Sequence, residues 1–206
     1  MTPGARGRPA VRSPETPSGP ARVVVEGTGT GLLVLGHGAG GGPDALDLQA
    51  AREAALEVGW RVALVEQPWR VAGRRVAEAP ARLDAAWRAV LADLGAAAPL
   101  VVGGRSAGAR VACRTARDVG ADGVLCLAFP LLTPSRAGGQ RRSRAAELDL
   151  VHVPLLVVQG GRDAFGIPAG AAVVPGADHG FGVRRTDPRP GPTIRRLVGG
   201  WLQTLT

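Results

Sequence analysis

Short, fully apolar runs alternate with longer segments of helical periodicity along this chain, and this alternation restricts the fold more than any other feature. Leu32–Leu35 and Leu155–Val158 are continuous apolar runs. A strand that is apolar at every position has both faces buried, which is typical of a parallel sheet covered by helices. The alternation therefore predicts an α/β fold with a mostly parallel central sheet and helices on both faces.

Gly and Pro stand at most boundaries of the predicted elements, as expected for residues that end strands and helices. The predicted strands are 22–25, 32–35, 61–66, 100–102, 123–129, 155–159 and 171–174. The predicted helices are 44–58, 80–94, 107–118 and 192–205. A chain of 206 residues fits a single domain, which we place at 21–206 with a loop insert at 130–150. This insert is too short to form a substantial lid.

Residues 1–20 are rich in Pro, Gly, Ser and Arg and carry almost no apolar side chains, so we expect a disordered tail. The tail lacks the apolar core of a secretory signal, which needs roughly 7–15 residues. Every apolar run of the chain is far shorter than the roughly 18 residues of a membrane helix. We therefore expect a cytoplasmic protein that does not bind membranes.

The chain carries a formal net charge of +8, and all 25 of its basic residues are Arg. Much of the positive excess lies in 1–22 and 183–196, which are terminal or loop segments rather than one helix face. With three Phe and four Trp in the whole chain, the aromatic interleaving of single-stranded nucleic-acid sites is not visible. We expect no nucleic-acid partner, no metal site and no cofactor, and the sequence leaves the oligomeric state open.

The motif Gly104-Arg105-Ser106-Ala107-Gly108 lies between a short apolar strand and a predicted helix. A nucleophile elbow has this G-x-S-x-G pattern and this location. The turn is so sharp that residues two before and two after the serine pass close together, where a Cβ would clash. Such a turn projects the Ser106 hydroxyl clear of the sheet and aims the Ala107 N–H at a developing oxyanion.

The partners of this serine follow from elimination, because a hydrolase of this type orders its triad as Ser, then acid, then His. His37 and His152 both precede the best acid, so His179 is the candidate base. Asp163 directly follows a predicted strand, at the sheet edge where catalytic groups of α/β proteins gather. Asp178 is the rival acid, but its side chain starts one residue from His179 and is poorly placed to reach Nδ1.

A second oxyanion donor is expected from the loop after an early strand, and the glycine-rich segment 36–42 occupies that position. Its small residues let backbone N–H groups approach a substrate carbonyl oxygen. We assign the Ala39 N–H, with the Gly40 N–H as a close alternative, beside that of Ala107. His37 is expected to orient this loop through its ring and not to act as a base.

Two aromatic residues are candidates for substrate contact. Trp69 follows the end of a predicted strand, and Phe165 comes two residues after the candidate acid. Each residue fits either a pocket wall or simple packing, and the sequence leaves both alternatives open.

The segments described above form four motifs that follow one another along the chain. They are Leu35-Gly36-His37-Gly38-Ala39-Gly40-Gly41, Gly103-Gly104-Arg105-Ser106-Ala107-Gly108-Ala109-Arg110, Gln159-Gly160-Gly161-Arg162-Asp163-Ala164-Phe165-Gly166, and Asp178-His179. Over about residues 22–205 the chain resembles the α/β-hydrolase family. It is most similar to the small branch with little lid, which includes dienelactone-hydrolase-like proteins and the hydrolase-like domains of the KANL and testis-expressed type.

This resemblance implies a single-domain α/β-hydrolase fold with a minimal lid. It also implies a hydrolase of carboxyl esters or related acyl compounds, with a small-molecule acyl substrate. Ser106, Asp163 and His179 stand in the triad positions of the family. Some members of the KANL type act as scaffolds, so a catalytically silent interaction module remains an alternative.

A dinucleotide-binding oxidoreductase is the other alternative. Gly36-x-Gly38-x-x-Gly41 follows a strand, and Glu66 closes the next strand where a ribose-binding acid is expected. However, the third glycine of that fingerprint belongs inside the helix, whereas here Gly42-Pro43 follows it. This alternative also leaves the serine motif without a role. A P-loop is excluded, because it needs a Lys and the chain has none.

Overall fold

The central sheet has eight strands in the order β1-β2-β4-β3-β5-β6-β7-β8, in a computed structural model that describes residues 8–134 and 139–205. The strands are β1 (Ala10–Arg12), β2 (Arg22–Glu26), β3 (Leu32–Gly36), β4 (Arg61–Glu66), β5 (Leu100–Arg105), β6 (Gly123–Leu127), β7 (Leu155–Gly160) and β8 (Ala172–Val174). The helices are α1 (Leu46–Glu57), α2 (Pro68–Val71), α3 (Pro80–Leu94), α4 (Ala107–Thr115), α5 (Ala145–Leu148) and α6 (Pro190–Leu202), followed by a 3-10 turn at Gln203–Leu205.

Strands β3 to β8 are parallel to one another, while β1 and β2 are antiparallel to their neighbours. Both faces of the sheet are covered, as strand β3 illustrates. Leu32 and Val34 join the apolar cluster beneath α3 and α4, whereas Leu33 and Leu35 join the cluster beneath α1 and α6. The predicted α/β architecture with a mostly parallel sheet is confirmed.

Most predicted elements are present with small shifts at their ends. The β4 strand and the α3 helix coincide with the predicted ranges. Strand β6 ends at Leu127, before the predicted Phe129, because Ala128 adopts a positive φ of 49° that an extended strand does not permit. Helix α4 ends at Thr115, three residues earlier than predicted.

The prediction of a disordered tail over 1–20 is wrong for Ala10–Arg12, which form strand β1 against β2. The side chain of Val11 is 61% exposed, so burial does not explain this strand. Backbone hydrogen bonds to an existing sheet edge stabilise it instead, and these do not depend on apolar side chains. Residues 1–7 lie outside the described part of the chain.

The insert at 130–150 is fastened to the body of the domain. Its short helix α5 carries Glu147, whose carboxylate accepts hydrogen bonds from Arg110 at 2.8 and 2.6 Å. Arg114 of the same helix α4 donates to Glu147 at 3.2 Å. Residues 135–138 of the insert lie outside the described residues. In 8–134 and 139–205, each helix is too short or too polar to cross a membrane.

The strand order places a crevice at the carboxyl ends of β3 and β5. Strand β3 lies between β4 and β5, so the chain leaves β3 toward one side and later returns to pair with it on the other. The loops that follow β3 and β5 therefore diverge and leave a crevice at the carboxyl ends of these strands. Ligand sites of open α/β sheets form at such points.

Candidate active site

Ser106 lies at the tip of a strained turn between strand β5 and helix α4. Its backbone has φ 52° and ψ −107°, a combination that is costly for a residue with a side chain. A Cβ on Gly104 would overlap the carbonyl oxygen of Gly36 and lie 2.9 Å from the carbonyl carbon of Gly108. A Cβ on Gly108 would overlap the same oxygen. The two glycines are therefore required by the close approach of three backbone segments.

The structure brings the three residues predicted for the triad into one hydrogen-bonded chain. His179 Nε2 lies 3.0 Å from Ser106 Oγ, and His179 Nδ1 lies 2.7 Å from Asp163 Oδ2. These contacts span 73 and 16 residues of sequence. Because a carboxylate only accepts hydrogen bonds, Nδ1 carries a proton and Nε2 is free to accept the hydroxyl proton of Ser106.

The Asp163 carboxylate is held by donors on both oxygens. Gln159 Nε2 donates to Oδ2 at 2.7 Å, and the Phe165 N–H donates to Oδ1 at 2.8 Å. The rival acid Asp178 has another role, since its Oδ1 accepts the backbone N–H groups of Gly180 and Gly182, each at 2.8 Å. Asp178 thus shapes the loop that carries His179, and Asp163 contacts the ring.

Phe165 covers one side of the His179 ring. The two ring centroids are 4.5 Å apart and the planes meet at 63° in an edge-to-face contact. The His179 side chain keeps 23% of its surface exposed, whereas the Asp163 side chain is fully buried. The imidazole can therefore meet a substrate or a water molecule from one side, while its carboxylate partner is shielded.

Backbone N–H groups near Ser106 lie in the loop after β3 and at Ala107, the first residue of helix α4. Among the described residues, the N–H groups of Ala39, Gly40 and Ala107 have no hydrogen-bond partner. Gly38 passes so close that a Cβ there would lie 3.3 Å from Ser106 Cβ. Free N–H groups beside a serine hydroxyl are suited to bind a negatively charged oxygen.

His37 holds this loop, which we call the glycine-rich loop (residues 36–42). The Gln67 N–H donates to His37 Nε2 at 3.0 Å, so the ring proton is on Nδ1, which lies 2.8 Å from the Gly38 carbonyl oxygen. Burial lowers the pKa of His37, which favours this neutral form. In a trans peptide the C=O and the following N–H point in opposite directions, so engaging the Gly38 oxygen also sets the direction of the Ala39 N–H.

Trp69 packs against His37 at the base of the site. The ring centroids are 5.4 Å apart and the planes meet at 67°. Trp69 lines a small cavity that also borders Ala39 and Ala107. Of the two aromatic residues singled out in the sequence, Trp69 therefore lines the same cavity as Ala39 and Ala107, and Phe165 contacts the His179 ring.

The sequence of residues 29–189 matches the family described as "Alpha/beta hydrolase domain". This span covers more than half of the chain and includes the serine turn, Asp163 and His179. The chain belongs to the α/β hydrolase family. The resemblance inferred from the four motifs is thereby confirmed, and the loops that carry those motifs converge in this chain at one edge of the sheet.

Solved α/β hydrolase structures share this fold at low sequence identity. XC6422 from Xanthomonas campestris, described as an α/β serine hydrolase without a lid, superposes with a TM-score of 0.72 at 18% identity, covering 96% of this chain and 95% of that one. Dienelactone hydrolase from Anabaena variabilis gives a TM-score of 0.73 at 14% identity, with 96% and 98% covered. A hyperthermophilic esterase from Pyrobaculum calidifontis gives 0.66 at 16% identity, with 97% and 87% covered. No curated protein sequence matches the chain.

The glycines at 36, 38 and 41 do not occupy the positions that a dinucleotide-binding fingerprint requires. Helix α1 begins at Leu46, so Gly41 lies in the loop before it and not inside the helix. Glu66, the proposed ribose ligand, has Arg70 Nε at 3.5 Å and Arg22 Nη1 at 3.8 Å from its carboxylate. Across 8–134 and 139–205, no cluster of three or more His, Cys, Asp or Glu side chains is arranged to hold a metal ion.

A buried ion pair supports the site, and sequence reasoning missed it. Arg105 Nε lies 3.2 Å from Asp47 Oδ2 of helix α1, with the two side chains 14% and 1% exposed. Arg105 also donates from Nη2 to the backbone carbonyl of His179 at 3.2 Å. Burial raises the pKa of Asp47 to about 6, against the opposing effect of the Arg105 charge. Arg105 thus connects helix α1 to the loop that carries the candidate base.

Gln159 is a second residue that the sequence did not single out. Its amide nitrogen lies within hydrogen-bond distance of Asp163, of the Phe129 carbonyl at 3.1 Å and of the Gly166 carbonyl at 3.0 Å. Both residues were visible as polar residues at the ends of apolar strands: Arg105 is the second residue of the serine motif, and Gln159 opens the motif that contains Asp163. That position was the available signal for a supporting role.

Proposed function

We propose that this protein is a serine hydrolase of carboxyl esters or related acyl compounds, with Ser106 as nucleophile, His179 as general base and Asp163 as the acid that orients it. The observation that carries the proposal is the hydrogen-bonded chain from Ser106 Oγ through His179 to Asp163, built on a strained turn. A hydroxyl, an imidazole and a buried carboxylate in this order form the arrangement that activates a serine.

In the proposed reaction, Ser106 Oγ attacks the carbonyl carbon of an ester or thioester while its proton passes to His179 Nε2. The resulting imidazolium is stabilised by Asp163 through Nδ1–H. The negative oxygen of the tetrahedral intermediate accepts hydrogen bonds from the Ala39 and Ala107 N–H groups, with the Gly40 N–H as the alternative donor.

The carbon–oxygen or carbon–sulfur bond to the leaving group then breaks, and His179 Nε2 gives its proton to that group. An acyl-enzyme remains on Ser106. Water attacks the acyl carbon and transfers a proton to His179, and the free acid leaves as the proton returns to Ser106. This sequence uses only side chains and backbone groups of the chain.

A fluorophosphonate with a short alkyl group tests the proposal directly, since it phosphonylates an activated serine. We expect the folded protein to be labelled stoichiometrically, as measured by intact mass, and the Ser106→Ala variant to remain unlabelled. Hydrolysis of p-nitrophenyl acetate should be lost in the same variant. A folded protein that is neither labelled nor active would instead favour the catalytically silent interaction module.

A further inference from the structure

Arg105 reaches from the end of strand β5 to the loop that carries the proposed base, which we call the His179 loop (residues 178–182). Its Nη2 donates a hydrogen bond to the His179 carbonyl oxygen at 3.2 Å. Arg105 directly precedes Ser106 in the sequence, and its side chain is only 14% exposed. One buried side chain therefore connects the strand that positions the proposed nucleophile with the backbone of the proposed base.

The His179 loop has few other polar connections to the body of the domain. The Asp178 N–H donates to the Gly182 carbonyl at 2.9 Å, and the Phe181 N–H donates to the Asp178 carbonyl at 3.0 Å. Asp178 Oδ1 also accepts N–H groups of this same loop. Among the described residues, the hydrogen bond from Arg105 is the one that joins the main chain of this loop to another segment.

The same guanidinium packs against the glycine-rich loop. A Cβ on Gly38 would lie 3.5 Å from Arg105 Nη1, and a Cβ on Gly41 would lie 3.8 Å from it. The guanidinium thus lies between the loop of the proposed base and the loop that carries the Ala39 N–H. Its removal would loosen one wall of each loop.

Asp47 allows this charge to be buried. Its Oδ2 lies 3.2 Å from Arg105 Nε, and its own side chain is 1% exposed. A guanidinium is planar and carries its N–H donors in fixed directions. The carboxylate beside Nε therefore restricts where Nη2 can point, so that the ion pair stabilises the fold while the Nη2 hydrogen bond fixes the His179 backbone.

We propose that Arg105 is a positioning residue of the hydrolase reaction, which holds the His179 backbone so that the imidazole stays within reach of the Ser106 hydroxyl. The proposal rests on the function proposed above and adds a residue that does not touch the reacting atoms. His179 Nε2 lies 3.0 Å from Ser106 Oγ, which is near the limit for proton transfer. A displacement of about 1 Å at such a site costs about 10²-fold in rate.

Arg105→Met is the first test, because methionine keeps an unbranched stem and removes the N–H donors. We expect kcat for p-nitrophenyl acetate to fall about 10²-fold. KM should change little, since Arg105 acts through His179 and not on the substrate. A raised KM with an unchanged kcat would overturn the proposal.

A proton NMR signal reports the position of the ring without turnover. The Nδ1–H of His179, which faces Asp163 Oδ2 at 2.7 Å, should give a resonance downfield of the amide region that is absent from His179→Ala. In Arg105→Met this resonance should broaden or disappear, because a mobile ring exposes its proton to exchange with water. An unchanged resonance in the folded variant would overturn the proposal.

Arg114→Met is the matched control. Its side chain is 16% exposed and pairs with Asp84 at 2.6 Å, so its burial and charge resemble those of Arg105. Among the described residues, its hydrogen bonds go to Asp84 and Glu147 and to neither loop of the site. This control should lower the thermal midpoint and leave kcat and the downfield resonance unchanged. An equal loss of kcat in the control would mean general loosening and would overturn the proposal.

The double variant Asp47→Leu/Arg105→Met replaces the single variant if the latter does not fold. Exchanging both members of a buried ion pair for apolar side chains is often neutral for stability, but it still removes the donor to His179. We expect the same loss of about 10²-fold in kcat, and full activity in this folded variant would overturn the proposal. Arg105→Lys keeps the charge but offers a single nitrogen, so its kcat should lie between those of the natural protein and Arg105→Met.

The two proposals fail in distinguishable ways. If the fluorophosphonate labels Ser106 and Arg105→Met keeps the kcat and the downfield resonance of the natural protein, only the positioning proposal fails. If the natural protein hydrolyses no ester and Ser106 is not labelled, the proposed function fails and the positioning proposal fails with it.

Discussion

His179 and His37 lie at the same end of the sheet, and each engages both ring nitrogens, but their partners differ. His179 contacts a carboxylate and a hydroxyl, whereas His37 contacts a backbone carbonyl and a backbone N–H. Both rings carry the proton on Nδ1. If His179 gains a second proton, Asp163 stabilises the charge, and Nε2–H can donate to a leaving group. A proton on His37 Nε2 would instead point at the Gln67 N–H, which is itself a donor and cannot accept it.

The difference shows that a hydrogen-bonded histidine is suited to proton transfer only if its partners stabilise the doubly protonated imidazolium. Asp163 supplies a negative charge next to His179, and the ring is partly open to solvent. His37 is buried, and burial lowers its pKa, so it stays neutral and holds the loop. The pair therefore separates a proposed catalytic role from a positioning role at one site.

Replacing the proposed base should have the largest effect. His179→Ala removes the proton acceptor of Ser106, and we expect kcat to fall about 10⁶-fold, as for triads elsewhere. Ser106→Ala should cause a loss of the same size, and the double variant should be no worse, because the residues act as a unit. Steady-state hydrolysis of p-nitrophenyl acetate measures all three. Retention of more than a hundredth of the activity by either single variant would contradict the assignment.

Removing only the charge next to His179 should have a smaller effect. In Asp163→Asn the imidazolium loses its stabilising carboxylate and the ring can adopt the wrong tautomer, so we expect kcat to fall about 10⁴-fold. Asp178→Asn is the matched control, because an amide oxygen can still accept the Gly180 and Gly182 N–H groups. That control should stay within a few-fold of the natural protein. A larger loss in Asp178→Asn than in Asp163→Asn would reverse the choice of acid.

Replacing His37, the histidine of the glycine-rich loop, should have a still smaller effect. His37→Phe keeps an aromatic ring against Trp69 but releases the Gly38 carbonyl, so the Ala39 N–H loses its fixed direction. We expect a loss of about 10²-fold, the typical cost of one oxyanion donor, expressed in kcat more than in KM. The fluorophosphonate should still label Ser106. An unchanged kcat would mean that the ring does not hold the proposed donor in place.

The supporting ion pair should affect stability more than chemistry. Burial raises the pKa of Asp47 from its ordinary value of 3.8 to about 6 in the folded protein. Between these two pH values the folded state therefore binds a proton that the unfolded state has released. Stability contributed by Asp47 therefore falls as the pH rises through this window. Relative to Asp47→Asn, the natural protein should lose about 2 kcal/mol between about pH 4.5 and pH 7.5.

Urea denaturation of both proteins at the two pH values measures this difference. Glu147→Gln is the control of opposite sign. Burial alone would raise the pKa of Glu147, but hydrogen bonds and charges from Arg110 and Arg114 outweigh it and hold the pKa below its usual value. The stability contributed by Glu147 is present at neutral pH and is lost as the pH falls. A pH-independent difference between the natural protein and Asp47→Asn would contradict the raised pKa.

The elements and motifs that were predictable are those with a local physical signal. Helix α3 runs from Pro80 to Leu94 as its flanking Pro and Gly indicate, because those residues restrict the backbone at a helix end. The serine turn was predictable from Gly104 and Gly108, since only glycine tolerates the approach of neighbouring backbone. The choice of Asp163 over Asp178 followed from reach, and the structure places Asp163 on the ring.

The features that were missed depend on partners distant in sequence. Strand β1 forms only because the edge of β2 is available to it, although the local composition resembles a disordered tail. Arg105 and Asp47 are 58 positions apart by their numbering and meet because helix α1 packs on the same face of the sheet as the loop that carries His179. Such a contact produces neither a hydrophobic periodicity nor a short motif in the sequence.

Steric requirements and hydrophobic periodicity depend on residues that are close together in the sequence. The order of strands and helices, the glycine turn and the identities of the proposed nucleophile, base and acid could therefore be predicted from the sequence alone. Distances and volumes are not local. The 3.0 Å between His179 Nε2 and Ser106 Oγ, the burial that raises the pKa of Asp47 and the small cavity beside Ala39 result from how helices and loops from separate parts of the chain pack against one sheet edge.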